Sequence, residues 1–149
     1  MLYVIRHAKS SWSEFGARDF DRELNERGRK DAPEMADRLK QKSVVPDLII
    51  SSSAVRAKLT ALAFAKVVGF NADAILWKDE LYEADIDTIY GVVGKIGEQY
   101  STVLMFGHNP TWTYFVNGLA EVRIDNIPTC GVAGISLNGA WKDVKMGSG

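Results

Sequence analysis

Histidine is scarce here: the 149 residues hold only His7 and His108, and each follows a short apolar run. His7 comes after Leu2-Tyr3-Val4-Ile5-Arg6, and His108 after Thr102-Val103-Leu104-Met105-Phe106-Gly107. An imidazole so placed can be a nucleophile, a proton carrier or simply a packed ring. Two arginines narrow the choice. Arg6 directly precedes His7, and Arg56 follows a third apolar run, Leu48-Ile49-Ile50, through Ser51-Ser52-Ser53. Planar guanidinium groups match phosphoryl oxygens two at a time, and a cation behind four apolar residues is costly without an anion partner. These residue types suit a dianionic phosphoryl group held by segments far apart in the chain.

Helices and strands have to bring those segments together. Leu2–Ile5, Leu48–Ile50, Ala74–Trp77 and Thr102–Phe106 predict short buried strands, and Gly131–Leu137 a last main strand. Glu26–Lys40, with Ala32, Met35, Ala36 and Leu39 on one face, predicts a helix that holds Pro33 in its first turns. Ala54–Val68 predicts a second, capped by a serine near Ser53 and stopped by Gly69, and Asp85–Ile96 a third, weakened by Gly91 and Gly94. A fourth runs through Leu119, with Asn109 as cap and Pro110 as first helical residue. Asn138-Gly139 is a hairpin signal that predicts Trp141–Met146 as a returning edge strand.

Short apolar strands alternating with amphipathic helices imply an α/β three-layer sandwich: a mostly parallel central sheet with helices on both faces, one domain over residues 1–149. Ligands of such sheets gather beyond the carboxyl ends of the strands, where helix starts offer free N–H groups to anions. Arg6, His7, Arg56 and His108 all fall at such ends. Eighteen Lys and Arg against nineteen Asp and Glu leave no global field toward nucleic acid or anionic lipid. The single Cys130 allows neither an internal disulfide nor a Cys-rich zinc site, which suits a reducing, cytoplasmic setting. No run approaches the roughly 18 apolar residues of a membrane span, and the amino terminus lacks the marks of a signal peptide. Metal and nucleotide motifs are missing as well, so neither a metal nor another cofactor is expected. Oligomeric state is left open.

Four segments, in order, resemble the histidine phosphatase superfamily, and the short chain its branch of SixA-type phosphohistidine phosphatases. Arg6-His7-Ala8 resembles the Arg-His-Gly signature. Asp21-Arg22-Glu23-Leu24-Asn25-Glu26-Arg27-Gly28 is similar to the Arg-Pro-Leu-Thr-x-x-Gly segment, Ser51 to Ala57 to Ser-Ser-Pro-x-x-Arg-Ala, and Gly107-His108-Asn109-Pro110 to the late histidine motif. Ala8, Glu23 and Ser53 replace a usual glycine and two prolines, departures that touch the loops and no reactive group. The resemblance implies a phosphoglycerate mutase-like fold and a metal-independent phosphatase. In it His7 is the nucleophile, Arg6, Arg56 and His108 surround the phosphoryl oxygens, and Arg22, Ser13 and Asn109 add phosphate contacts. Leu81-Tyr82-Glu83 resembles the segment bearing the general acid, which assigns that role to Glu83. The expected partners are a phosphorylated protein or a small-molecule phosphate.

Two other readings share these residues. A recognition module would bind phosphorylated partners without turnover, which an intact reactive set disfavours. A mutase must shield its intermediate from water, and beyond the Trp77–Gln99 segment the chain has little length for a cover. Trp12, Phe15, Tyr82 and Trp112 either line the entrance or pack against loops.

Overall fold

Alternation along the central strands decides the layers. The computed structural model describes residues 1–12, 16 and 18–149. Strands β1 (Leu2–Arg6), β2 (Leu48–Ser52), β3 (Leu76–Lys78), β4 (Val103–Gly107) and β5 (Val132–Ile135) form one sheet in the order β3-β2-β4-β1-β5. The helices are α1 (Glu26–Gln41), α2 (Val55–Val68), α3 (Ile86–Gly94) and α4 (Thr111–Ala120). Leu2, Val4, Leu48, Ile50, Val103 and Met105 enter one core with Ile89 and Val93 of α3 and Phe115 and Leu119 of α4. Ile5, Ile49, Leu104 and Phe106 face the other way, onto Ala32 and Ala36 of α1 and Ala61 and Phe64 of α2. Both faces of β1, β2 and β4 are therefore buried, the reason these runs read as continuously apolar. Each large side chain so enclosed contributes about 1.5–3 kcal/mol.

Strand order places the site. β1 pairs in parallel with β4, Arg6 opposite Gly107, and β2 pairs in parallel with β4, Ser51 opposite Phe106. The chain thus leaves β1, skips one position to form β2, and fills the gap only when β4 arrives. Three carboxyl ends stand side by side at this reversal of direction, where a crevice opens in sheets of this type. β5 closes the edge beside β1 and is antiparallel to it, so the sheet is mixed.

Several element boundaries differ from expectation. Trp141–Met146 does not return as an edge strand: Trp141–Asp143 is a 3₁₀ turn. Its indole is buried and donates to the Tyr100 carbonyl at 2.7 Å, so burying tryptophan overrides the hairpin signal. Pro33 lies inside α1, well past the first turns. The helix continues through it because Ala32, Ala36 and Leu39 on either side are buried. Ala72–Ala74 forms a 3₁₀ turn, which shifts β3 to Leu76–Lys78, and α3 stops at Gly94. Among the described residues no helix is long and apolar enough to cross a membrane.

Candidate active site

His7 is held on every side by the backbone that delivers it. It is 8% exposed. Its N–H donates to the Gly107 carbonyl at 3.0 Å, extending the β1–β4 ladder, and its carbonyl accepts from Cys130 N–H at 3.0 Å. The next residue, Ala8, donates its N–H to Thr60 Oγ1 at 3.0 Å, and the Thr60 hydroxyl donates to the Arg56 carbonyl at 2.7 Å. One buried threonine thereby ties the loop after His7 to the first turn of α2. From the other side, Asn25 N–H donates to the Lys9 carbonyl at 3.0 Å, and α1 comes so near that a Cβ on Gly28 would stand 2.2 Å from the Lys9 oxygen.

The ring's chemistry follows from one contact. His7 Nδ1 lies 2.7 Å from the Ala8 carbonyl oxygen. A carbonyl only accepts, so Nδ1 carries the proton and Nε2 holds the lone pair. Burial, with the charges of Arg56, Arg6 and Arg22, pushes the His7 pKa down to about 4 against the opposing effect of that hydrogen bond. At neutral pH the ring is uncharged. His108 stands beside it, ring centroids 5.3 Å apart, with Nε2 2.8 Å from Ser52 Oγ at the end of β2. Burial, then His7 and Arg56, pushes its pKa down to about 3. Its Nδ1 is buried with no partner among the described residues.

The three expected arginines converge on this pair. Arg6 donates through one terminal nitrogen to the Ile127 carbonyl at 2.9 Å, while its buried Nε has no partner among the described residues. Arg22 donates Nε to the Ser11 carbonyl at 3.0 Å and a terminal nitrogen to Ser10 Oγ, and it stacks 3.3 Å over the ring of the exposed Trp12. Arg56, buried in the first turn of α2, reaches Asp19 with both terminal nitrogens. Tyr82 donates its hydroxyl to the same aspartate at 2.6 Å. A cleft of about 290 Å³ opens between Asp19, Arg56, Tyr82, Glu83, His108 and Trp112. Glu83 is exposed on its wall, with no partner among the described residues and a left-handed φ of 54°.

Two expected phosphate contacts stand differently. Asn109 lines the cleft, but its side chain is spent elsewhere. Nδ2 donates to Asn126 Oδ1 at 2.8 Å and to the Ile127 carbonyl at 2.9 Å, and Oδ1 accepts from Thr113 N–H at 3.2 Å. It braces the first turn of α4 at Thr113 and steadies the following loop instead of offering its amide to a ligand, and the N-cap of α4 is Pro110, one residue later than expected, with Thr111 the first helical residue. Ser13, like Phe15, lies outside the described residues. The expected serine cap of α2 is not found: its N-cap is Ala54, with no side-chain cap hydrogen bond, and Ser52 Oγ accepts only from the N–H of Ala54 itself, at 3.2 Å. Among the described residues no group of three or more His, Cys, Asp or Glu side chains is placed to hold a metal ion.

Comparison with known proteins agrees with this arrangement. The family model of the histidine phosphatase superfamily (branch 1) matches residues 2–121. The chain belongs to the histidine phosphatase superfamily. Within it the chain is similar in form to SixA-type phosphohistidine phosphatases. A crystal structure from Agrobacterium tumefaciens, assigned by name to phosphohistidine phosphatase SixA, is 34% identical with a TM-score of 0.80, over 89% of this chain and 88% of that one. The protein histidine phosphatase SixA complexed with tungstate shares the fold at 22% identity and a TM-score of 0.82, over 91% of this chain and 87% of that one. An uncharacterised protein of Mycobacterium tuberculosis is 32% identical, over 96% of this chain and 93% of its own length.

Asp19, Ser52 and Thr60 are not among the expected site residues: Asp19 lines the cleft, Ser52 meets His108, and Thr60 ties the loop after His7 to α2. Asp19 hides in the alternating charges of Arg18-Asp19-Phe20-Asp21-Arg22, and Thr60 in an apolar helix. The one available signal for Asp19 was its spacing three residues before Arg22, a common surface ion-pair interval.

Proposed function

We propose that the chain is a metal-independent phosphatase that works through a phosphorylated His7. The single observation that carries this reading is the fixed tautomer: Nδ1–H is bound to the Ala8 carbonyl, and the remaining lone pair sits among three guanidinium groups and His108. In the first step Nε2 attacks phosphorus and forms an N–P bond as the bond to the leaving group breaks. Arg6, Arg22, Arg56 and His108 would take up the charge spread over the equatorial oxygens, the duty a metal ion performs elsewhere. Water then attacks the phosphohistidine, releasing phosphate and returning the neutral ring. Glu83 is the leaving group's proton donor on this reading. Its left-handed backbone costs about 1 kcal/mol, the kind of local strain that gathers at working sites.

The substrate is a phosphohistidine side chain or a small phosphorylated compound. A cleft of about 290 Å³ is at the lower end of ligand pockets and accommodates a phosphoryl group with a compact leaving group. Relatives of the same fold are named as a protein histidine phosphatase complexed with tungstate and a glucosyl-3-phosphoglycerate phosphatase complexed with VO3, which supports phosphoryl chemistry on this fold. The test is phosphate release from phosphohistidine, phospholysine, phosphoarginine and common monoesters. Wild type is expected to turn over at least one of them. Arg56→Ala should lose about 10²-fold or more in kcat, and full turnover by His7→Ala would refute the reading.

A further inference from the structure

Both carboxylate oxygens and the carbonyl of Asp19 are taken by Arg22, Arg56 and Tyr82. Oδ1 accepts from a terminal nitrogen of Arg22 at 2.9 Å, and Oδ2 from a terminal nitrogen of Arg56 at 3.0 Å and from the Tyr82 hydroxyl at 2.6 Å. The Asp19 carbonyl accepts from the other terminal nitrogen of Arg56 at 2.7 Å. Two arginines from different segments and a tyrosine from a third are thus joined through one residue of the short 3₁₀ turn Asp19–Asp21. Among the described residues only Asp19 links all three.

We propose that Asp19 is a positioning residue for phosphoryl binding, acting through Arg56 and Arg22. The proposal rests on the phosphatase reading above, in which those arginines hold the phosphoryl group. A guanidinium has five N–H donors in a rigid plane, so anchoring some of them at one edge fixes the direction of the rest. Arg56 gives two donors to Asp19, and Arg22 gives one each to Asp19, Ser10 and Ser11, which leaves both with N–H groups for an anion. Without the carboxylate, each long side chain would have to be ordered by the ligand itself, at a cost in affinity. The opposite effect is also physical: Asp19 cancels positive charge, so its removal could tighten binding by raising the local potential. Geometry favours positioning, because both carboxylate oxygens and the carbonyl engage the arginines together.

Titration calorimetry with inorganic phosphate separates the two. Asp19→Ala is expected to weaken phosphate binding by about tenfold, and by about threefold when Arg56 is already alanine, since only the Arg22 guanidinium is then left for it to hold. Asp19→Asn keeps the shape but turns an N–H toward one arginine, and should lose affinity in the same direction. The side chain is half-exposed, so neither change opens a cavity. Phosphate binding as tight as wild type or tighter in both variants would overturn the proposal, as would losses in Asp19→Ala and Arg56→Ala that simply multiply in the double variant. A wild type that binds no phosphate would remove the phosphoryl site itself and this role with it. Wild-type binding that survives both substitutions would remove only the role of Asp19.

Discussion

A nucleophilic imidazole has to be neutral at working pH and has to show its lone pair to the substrate, and His7 meets both conditions through its neighbours. The Ala8 carbonyl holds the proton on Nδ1, while burial and three nearby guanidinium charges keep a second proton off. Ring C–H signals followed by NMR should therefore stay flat from pH 8 to about 5 and move only as His7 nears its pKa of about 4. A midpoint near the ordinary 6.5 would show that the ring is not buried beside these guanidinium groups. His108 behaves alike for related reasons, with its midpoint lower still. At Cys130, burial pushes the thiol up to about 12, so it is protonated and inert beside a reactive loop.

Helices set how closely the reactive loop can be gripped, and Gly28 shows how small the margin is. It lies in the first turn of α1, where Asn25 Oδ1 caps its N–H at 2.9 Å, and the Lys9 carbonyl occupies the space a side chain would need. Gly28→Ala should force α1 away from the loop, lowering stability by about 1–3 kcal/mol and kcat along with it. Unchanged melting and turnover would mean the contact is not tight. The strands and helices were legible in the sequence because burial on both faces leaves an unmistakable apolar record in runs such as Val103–Phe106. Arg6, His7, Arg56 and His108 were legible because each stands close after a strand, whereas Arg22 was reached only through the family resemblance. What periodicity could not reveal is contact across the chain. Trp141 chose a pocket against Tyr100 over a hairpin, Asn109 turned to Thr113 and Ile127, and Asp19 met Arg56 from 37 residues away. Such partners are set by the folded geometry of loops, which no local pattern records.

The molecule as a whole carries two uncharged histidines next to three arginines, an arrangement that acid should oppose. Above pH 6.5 both rings are neutral whether folded or unfolded, so they add no pH dependence there. Below 6.5 the unfolded chain takes up protons that the folded one refuses until about pH 4 for His7 and about 3 for His108. Stability is lost across that window at about 1.4 kcal/mol per unit of depression. Asp19, held well below the usual carboxylate range first by the Tyr82 hydroxyl and also by Arg22 and Arg56, adds to the loss at the acid end. Urea midpoints should therefore fall from pH 6.5 to 4, and a midpoint flat across that range would contradict the burial of both rings. The nucleophile can be tested most directly by trapping it: the protein is mixed with a turned-over phosphoryl donor, quenched in alkali within milliseconds and mapped by mass spectrometry. Phosphate stable to alkali and labile to acid, found on His7 and absent from His7→Ala, is the expected result. Turnover with phosphate on any other residue, or on none at every quench time, would contradict it.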